Sequence, residues 1–209
     1  MLKILYEDEN LAVIIKPYGL DSQEETTKKL QEQLHCPILP IHRLDKIVSG
    51  IIVYGKNALT VDQISKQIQN RQFHKEYLAV VHGLMPAEED TLNDLLFHDR
   101  QKNKTYVVKR ARKGVKQATL NYRLLEFKDD KSLLAVLPLT GRTHQIRVQL
   151  AHSMHPIVGD GKYGSKENCH CSLFSYHLSF LNPSNKEMMD FKINPPDIYP
   201  FNLFNLEVL

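Results

Sequence analysis

Short apolar runs separated by glycine and proline constrain the fold of this 209-residue chain more than any other feature. The longest aliphatic runs are five residues, Leu11–Ile15 and Leu133–Leu137. Runs of this length that end in turn signals, such as Lys16-Pro17-Tyr18-Gly19, are typical of buried strands. A membrane-spanning helix needs about 20 apolar residues, so we expect no membrane association.

Strands dominate the pattern, and helices are few. Apolar runs predict strands over residues 11–15, 51–54, 77–81 and 133–137. In the tail, strand-like runs over 173–180, 188–193 and 201–209 alternate with proline turns. Helical spacing predicts helices over residues 24–34, around 61–68 and over 143–152. Such an irregular order predicts an α+β fold with a large mixed, mostly antiparallel bent sheet and a few flanking helices. Without a repeat or a Gly/Ser-rich linker, we expect one domain over residues 1–209, built as a single body or as two closely fused lobes.

Composition excludes several classes of protein. Hydrophobic residues make up 42% of the chain and charged residues 24%, which is ordinary for a globular protein and unlike a disordered chain, a collagen or a coiled coil. Three cysteines cannot all pair with one another. The N-terminus becomes acidic at Glu7-Asp8 before a signal-peptide core could form. We therefore expect reduced thiols and a cytoplasmic location.

One segment concentrates positive charge. Eight basic residues lie between Arg100 and Lys116, and no acidic residue occurs from Arg100 through Leu125. A run of this kind is expected of phosphate-backbone binding, although a solvated Lys-rich hairpin would carry the same charge. Apolar residues on both sides predict two strands around a basic turn. The candidate RNA contacts in the run are Lys109, Arg110, Arg112 and Lys113.

Two patterns suggest cofactors or metals but lack the necessary context. Gly159–Gly164 matches G-x-G-x-x-G, yet no helical periodicity follows it, so turn glycines explain it better than a dinucleotide loop. Cys169-His170-Cys171 lacks the second ligand pair of a zinc site. We therefore predict neither a cofactor nor a metal.

Two further segments place polar groups beside apolar strands. The first runs from Ile41 to Val53 and contains Asp45; the second runs from Leu137 to Val148 and contains Arg142 and Arg147. Such groups can line a cleft, or Asp and Arg can form a purely structural pair, and residue types alone do not separate the two. No second carboxylate lies near Asp45, so a hydrolytic acid/base pair is not indicated.

These segments resemble the RluA-type pseudouridine synthases. That family is marked by H-R-L-D-x-x-T-S-G, found here as His42–Gly50, and by G-R-T-H-Q-I-R, found here as Gly141–Arg147. The continuation His155–Gly164 and the strand Lys75–Val81 also match, so the resemblance covers nearly the whole chain. It implies a pseudouridine synthase fold with a central RNA-binding cleft. The small N-terminal RNA-binding domain of many relatives is expected to be absent, since the pattern begins near Met1, so the catalytic domain would make the RNA contacts.

The resemblance also implies the residues that act. Asp45 is the essential carboxylate, Tyr77 stacks on the flipped uracil, and Arg147 pairs with Asp45. Arg43 enters the RNA where the base was, and Ile146 packs against that base, with Arg142 a further RNA contact. The implied activity is isomerisation of uridine to pseudouridine in rRNA or tRNA by a monomeric enzyme, without a cofactor.

The sequence departs from the family pattern at three positions. Val48 stands where Thr is usual, Gln149 where His is common, and His155 where Gly is usual. Two other functions remain open at this point. One is a non-catalytic RNA-binding or ribosome-assembly protein on the same scaffold, and the other is a metal-dependent nuclease.

Overall fold

A computed structural model describes residues 1–206 and divides them into two compact units. The first unit comprises Met1–Lys75 and Phe174–Asn194, and the second comprises Glu76–Leu173 and the residues from Pro195 onward. None of the helices in the described chain has the length and hydropathy of a transmembrane span. The prediction that residues 1–209 act as one catalytic domain stays a prediction.

The first unit is a small α+β body. Its sequence order is β1 (Lys3–Glu7), β2 (Leu11–Lys16), α1 (Glu25–Leu34), β3 (Leu39–Pro40), β4 (Ser49–Gly55), α2 (Ala58–Gln69), β10 (Leu173–Leu181) and β11 (Met188–Lys192). β2 pairs antiparallel with β1 and with β4, and β11 pairs antiparallel with β10. β10 runs parallel to β4, with Phe174 opposite Ser49.

Alternate side chains along β2 and β4 form the hydrophobic core of the first unit. Leu11 and Val13 of β2, and Ile51 and Val53 of β4, are fully buried together with Ile64 of α2. Burial of each such side chain contributes about 1.5–3 kcal/mol relative to exposure. The close packing of β4 on β10 requires Gly50, whose φ is +119° and where a Cβ would lie 2.3 Å from the Ser175 carbonyl oxygen. This close contact fixes the end of the loop that precedes β4 against β10.

The second unit is built on an antiparallel sheet. Its elements are β5 (His74–His82, which begins at the end of the first unit), β6 (Glu89–Asp99), β7 (Lys104–Val107), β8 (Val115–Lys128), β9 (Lys131–Pro138), α3 (Gln145–His152) and short 3-10 helices over Gly161–Tyr163 and Phe201–Leu203. The strand order is β5-β9-β8-β6-β7. Val148 of α3 and Tyr163 pack with Leu96 and Ala118 in one core cluster.

The α+β prediction, with a mixed and mostly antiparallel sheet and few helices, is confirmed. The predicted helices and most predicted strands lie at the expected places, because their apolar spacing matches the local period. Several expectations differ from the structure. The strand β6 was missed because its start, Glu89-Asp90-Thr91, is acidic and exposed. The segment from Phe201 forms a 3-10 helix through Leu203, and residues 207–209 lie outside the described chain.

The strands on either side of the basic segment do not form the expected hairpin. β7 and β8 both pair with β6, from opposite sides, so residues 108–114, which join β7 to β8, cross β6 at Leu96 and Phe97. The hairpin was expected because β6, which lies between β7 and β8, had not been predicted.

Candidate functional site

The loop that carries Asp45 joins β3 to β4 and is held first at Leu44. The Ser22 hydroxyl donates a hydrogen bond to the Leu44 carbonyl at 2.8 Å and accepts one from the Leu44 N–H at 3.1 Å. Ser22 and Leu44 are 1% and 3% exposed. A turn in which the Val48 N–H donates to the Asp45 carbonyl at 2.9 Å follows. The backbone on both sides of Asp45 is therefore fixed.

A fully buried lysine supports the same loop. The Lys16 ammonium donates to the carbonyl oxygens of Pro17 and Leu20, both at 2.9 Å, and to that of Lys46 at 3.3 Å. Burial lowers the pKa of Lys16 to about 8, although the charges of Asp21 and Asp45 act in the opposite direction. One ammonium thus joins the turn after β2 to the residue that follows Asp45.

His42 anchors the beginning of the loop to β4. Its Nε2 accepts a hydrogen bond from the Val53 N–H at 3.3 Å, and its ring meets Phe73 edge-on at 5.2 Å. Burial, and then the charge of Lys75, hold the pKa of His42 well below its usual range. His42 is therefore neutral and structural, a role that the sequence pattern alone did not indicate.

Arg43 and Asp45 differ in exposure. Their closest contact, from Arg43 Nη2 to Asp45 Oδ1, is 3.9 Å, with side chains 57% and 14% exposed. This distance exceeds that of a hydrogen bond, so the pair is loose. The exposed Arg43 can reach a ligand while the Asp45 carboxylate stays largely shielded from water, as the expected roles of the two residues require.

In the second unit, Arg147 forms a buried salt bridge with Asp160. Arg147 Nε lies 2.6 Å from Asp160 Oδ2 and Nη2 lies 2.9 Å from Oδ1, with side chains 4% and 1% exposed. Two parallel contacts of this kind fix the orientation of a guanidinium. The expectation that Arg147 pairs with Asp45 stays a prediction. The sequence did not indicate Asp160 as the buried partner of Arg147, because Asp160 lies between two glycines of the G-x-G-x-x-G pattern, which was interpreted only as a turn.

Tyr163 continues this network to β7 and to the N-terminus of α3. The Arg147 guanidinium lies 5.0 Å from the Tyr163 ring centre, and the Tyr163 hydroxyl accepts a hydrogen bond from the Thr105 N–H at 2.9 Å. The same hydroxyl lies 2.9 Å from Nδ1 of His144, a buried residue with φ of +55°. Burial raises the pKa of Tyr163. The first turn of α3 is thus held by side-chain contacts on two sides.

Gln145 explains the turn that presents Arg142. Its Oε1 accepts from the Thr140 hydroxyl at 2.7 Å and from the Arg142 N–H at 3.0 Å, while its Nε2 donates to the Thr119 carbonyl at 2.9 Å. Arg142 itself is exposed, and its Nε donates to the Gln117 carbonyl at 3.0 Å. The Gly141–Arg147 segment therefore buries Arg147 and leaves Arg142 accessible.

Tyr77 and Ile146 are both buried, at 6% and 7% exposure. Tyr77 lies on β5 opposite Val136 of β9, and Ile146 lies in the first turn of α3. Their expected contacts with a flipped base stay predictions.

The three departures from the family pattern are accommodated locally. Val48 is buried at 3% exposure. Gln149 Nε2 donates to the Leu92 carbonyl at 3.1 Å and to Asp94 Oδ2 at 2.8 Å, which ties α3 to β6. His155 Nδ1 lies 2.9 Å from the His82 carbonyl. Each departure therefore has a packing or hydrogen-bonding role within its own unit.

The basic side chains proposed to contact RNA are exposed. The side chains of Lys109, Arg110, Arg112 and Lys113 all lie at the surface, and the Arg112 guanidinium stacks over Phe97 at 5.1 Å.

The glycine pattern over residues 159–164 is a turn rather than a cofactor loop. Gly159 has φ of +79°, a Cβ there would lie 2.3 Å from the His170 carbonyl oxygen, and only a 3-10 helix follows.

Known proteins are similar to this chain over most of its length. A family model described as RNA pseudouridylate synthase matches residues 10–152, which include Asp45, Tyr77 and Arg147. Ribosomal large subunit pseudouridine synthase C of Buchnera aphidicola subsp. Acyrthosiphon pisum is 32% identical over 222 aligned positions, covering 97% of this chain and 70% of that protein. The mitochondrial tRNA pseudouridine(32) synthase of Saccharomyces cerevisiae is 33% identical over 174 positions, covering 79% of this chain and 38% of that protein.

Solved structures show the same fold. Human RNA pseudouridylate synthase domain containing 1 superposes with a TM-score of 0.81 at 22% identity, covering 95% of this chain and 85% of the other. Human RNA pseudouridylate synthase domain containing 4 gives a TM-score of 0.80 at 23% identity, with coverages of 96% and 91%. The resemblance drawn from the two signature segments is confirmed.

Proposed function

Because the chain belongs to the RNA pseudouridylate synthase family, we propose that it converts uridine to pseudouridine in RNA with Asp45 as the essential carboxylate. The observation that carries this proposal is the Asp45 loop itself. A single, largely shielded carboxylate follows an exposed arginine on a backbone fixed by Ser22 and Lys16. Such an arrangement suits a group that must act on a base removed from its stack.

The reaction is an isomerisation and needs no oxidant or reductant. The bond between C1′ and N1 breaks, the uracil turns, and C5 bonds to C1′. The proton on C5 leaves and N1 gains a proton. A carboxylate can serve this sequence by adding to the base, by adding to the sugar or by removing a sugar proton, and all three roles require Asp45 to be ionised.

The other site residues have roles in this proposal that follow from the family. Extrusion of the base costs a few kcal/mol and leaves a gap in the stack. Arg43, 57% exposed at its side chain, fills that gap. Tyr77 stacks on the uracil, Ile146 packs against it, and Arg147 supplies a cation toward Asp45. The two contacts with Asp160 fix the orientation of the Arg147 guanidinium within its own unit.

The proposed substrate is large-subunit rRNA, with tRNA as the competing outcome. Coverage favours the relatives named for the large ribosomal subunit, because 70% of the Buchnera protein is matched and only 38% of the tRNA-modifying relative. The exposed Lys109, Arg110, Arg112, Lys113 and Arg142 would contact the phosphate backbone. A monomer in the cytoplasm, with no cofactor, completes the proposal.

Asp45→Asn tests this proposal. The change keeps the shape of the side chain and removes its charge, so we expect release of tritium from C5-labelled uridine to fall by at least about 10³-fold. RNA affinity and thermal unfolding should stay near those of the wild type. Transcripts of large-subunit rRNA and of tRNA, assayed in parallel with and without chelator, identify the substrate and test for a metal-dependent activity.

The matched control is Asp197→Asn, an exposed carboxylate outside both signature segments. Substantial turnover by the Asp45 variant would sink the assignment of the carboxylate. Binding of RNA by the wild type without any tritium release would instead favour the non-catalytic RNA-binding protein.

A further inference from the structure

A cavity of about 660 Å³ lies in the second unit, where the basic run begins and ends. Arg100, the first residue of that run, and Lys116, the last, both line it, together with Arg142. These three side chains are exposed and come from three different segments of the chain. The volume falls within the range of about 300–1,000 Å³ that is usual for small-ligand sites.

The charge of this cavity is positive. Among the described residues that line it, Asp99 is the one carboxylate. Its Oδ1 accepts hydrogen bonds from the N–H groups of Gln101 and Lys102, at 3.0 and 3.1 Å, so it is engaged within its own turn. Arg142 is held in place through its Nε on the Gln117 carbonyl, which leaves its terminal nitrogens for an anion. Two guanidinium groups and one ammonium around one cavity are suited to a phosphate.

An imidazole of defined tautomer also lines the cavity. The Thr105 hydroxyl donates its one proton to the Thr143 carbonyl at 2.8 Å, so it must accept from Nδ1 of His98 at 3.1 Å. Nδ1 then carries the proton, and Nε2 of the neutral ring is an acceptor. No described residue makes a hydrogen bond to this Nε2. His98 thus has an acceptor available for the polar edge of a base.

An aromatic wall completes the cavity. Phe97 lines it, and Arg112 of the basic run stacks on that ring at 5.1 Å. Gly114, with φ of +87°, passes so close that a Cβ there would lie 3.5 Å from the ring. An aromatic surface next to cationic side chains is the combination that single-stranded nucleic acid uses, with base on ring and phosphate on cation.

We propose that this cavity binds one nucleotide of the RNA substrate other than the reacting uridine, its phosphate held by Arg100, Lys116 and Arg142 and its base placed against Phe97 and His98. The inference rests on the proposed function, since it takes RNA as the substrate. Tyr77, Ile146 and Arg147 are not among the described residues that line the cavity. Its occupant therefore selects the RNA rather than reacting.

Adenosine 5′-monophosphate is the probe for the first experiment, because adenine cannot be isomerised. Backbone amide spectra of the full chain should show shifts at Gly114 and Gly141 on titration. Inorganic phosphate and adenosine should each bind at least about tenfold more weakly. The double variant Arg100→Gln/Lys116→Gln should weaken binding of the nucleotide by at least about tenfold. Arg123→Gln removes one positive charge outside the cavity and should change nothing.

The second experiment measures tritium release from C5-labelled rRNA and tRNA transcripts. The double variant should raise KM by about tenfold with kcat within about twofold of the wild type, because a flanking subsite acts on binding. Unfolding temperatures should match, since both changed residues are exposed.

The outcomes separate the two proposals. An unchanged KM, or shifts caused equally by phosphate alone, would overturn the nucleotide subsite. Binding of the monophosphate without any effect on KM would mean a site for free nucleotides and would also overturn it. A wild type that releases no tritium contradicts the proposed function, while the binding titration still reports on the cavity by itself.

Discussion

The two signature segments are held in place by different means. The Asp45 loop is fastened through its backbone, by the Ser22 hydroxyl and the Lys16 ammonium, while Arg43 and Asp45 make only a 3.9 Å contact with each other. The Gly141–Arg147 segment is fastened through its side chains, because Arg147 is bound at 2.6 and 2.9 Å by Asp160 inside the protein.

This difference determines which substitutions each segment tolerates without unfolding of the protein. A loop held at its backbone does not depend on the exposed Arg43 side chain for its position. In the second segment the charge of Arg147 also stabilises the fold through the buried ion pair with Asp160. Breaking such a pair destabilises the protein, because an unpaired buried charge is costly. The first segment should therefore tolerate substitution of Arg43, and the second should not tolerate loss of Asp160.

Asp160→Asn should have the largest effect on stability. It removes the carboxylate that holds the buried Arg147 guanidinium at two points, and breaking a buried ion pair costs about 3–5 kcal/mol of the free energy of unfolding. Urea unfolding at neutral pH measures the loss. Arg43→Gln, which breaks only the exposed 3.9 Å contact, is the control and should cost less than about 1 kcal/mol. Equal losses in the two variants would remove the contrast between the segments.

Arg147→Met should be damaging for the same reason, since it leaves Asp160 buried without a cation. Any activity assay of an Arg147 variant therefore needs unfolding data beside it.

Lys16→Met should have an intermediate effect. It removes the donor shared by three carbonyl oxygens, and unsatisfied buried groups cost about 1–3 kcal/mol. The matched control is Lys66→Met on the exposed face of α2, where only an i,i+4 pair with Asp62 is lost; this should cost about 0.3–0.5 kcal/mol. If both lysine variants unfold at the same urea concentration, Lys16 does not fasten the loop.

His42→Gln should change how stability depends on pH. Because burial depresses the pKa of His42 in the folded state, the unfolded chain binds a proton below pH about 6.5 that the folded chain does not. The free energy of unfolding therefore falls as pH drops below that value, by up to about 1.4 kcal/mol per pH unit for this group. The Gln variant should show a shallower fall between pH 7 and pH 5.

The control for the pH slope is His152→Gln, whose ring is exposed at the end of α3. It should leave the wild-type slope unchanged. A wild-type slope retained by the His42 variant would mean that other groups cause the acid sensitivity.

Neutralising Lys109, Arg110, Arg112 and Lys113 together should have the smallest effect on the fold, because all four side chains are exposed. RNA affinity should fall nearly uniformly across sequences. The slope of log affinity against log salt should shrink by about 0.7 per lost phosphate contact on single-stranded RNA. An unchanged slope would make the segment a solvated surface loop.

Local patterns predicted much of the fold. The spacing of Val61, Ile64 and Ile68 placed α2, and the runs at 11–15 and 133–137 placed β2 and β9, because each pattern matches the period of its element. The β6 strand escaped this reasoning since its side chains alternate too weakly where its first half is exposed. The site residues were predicted by resemblance to a family rather than by local pattern.

The sequence by itself determined the family, and it located the helices and most of the strands. Only the tertiary structure decided which charges are buried and what binds them. Lys16 is polar in sequence yet fully buried, and Asp160 lies among glycines yet holds Arg147. The physical reason is that the energy of a charge depends on the groups around it, and chain segments distant in sequence supply those groups.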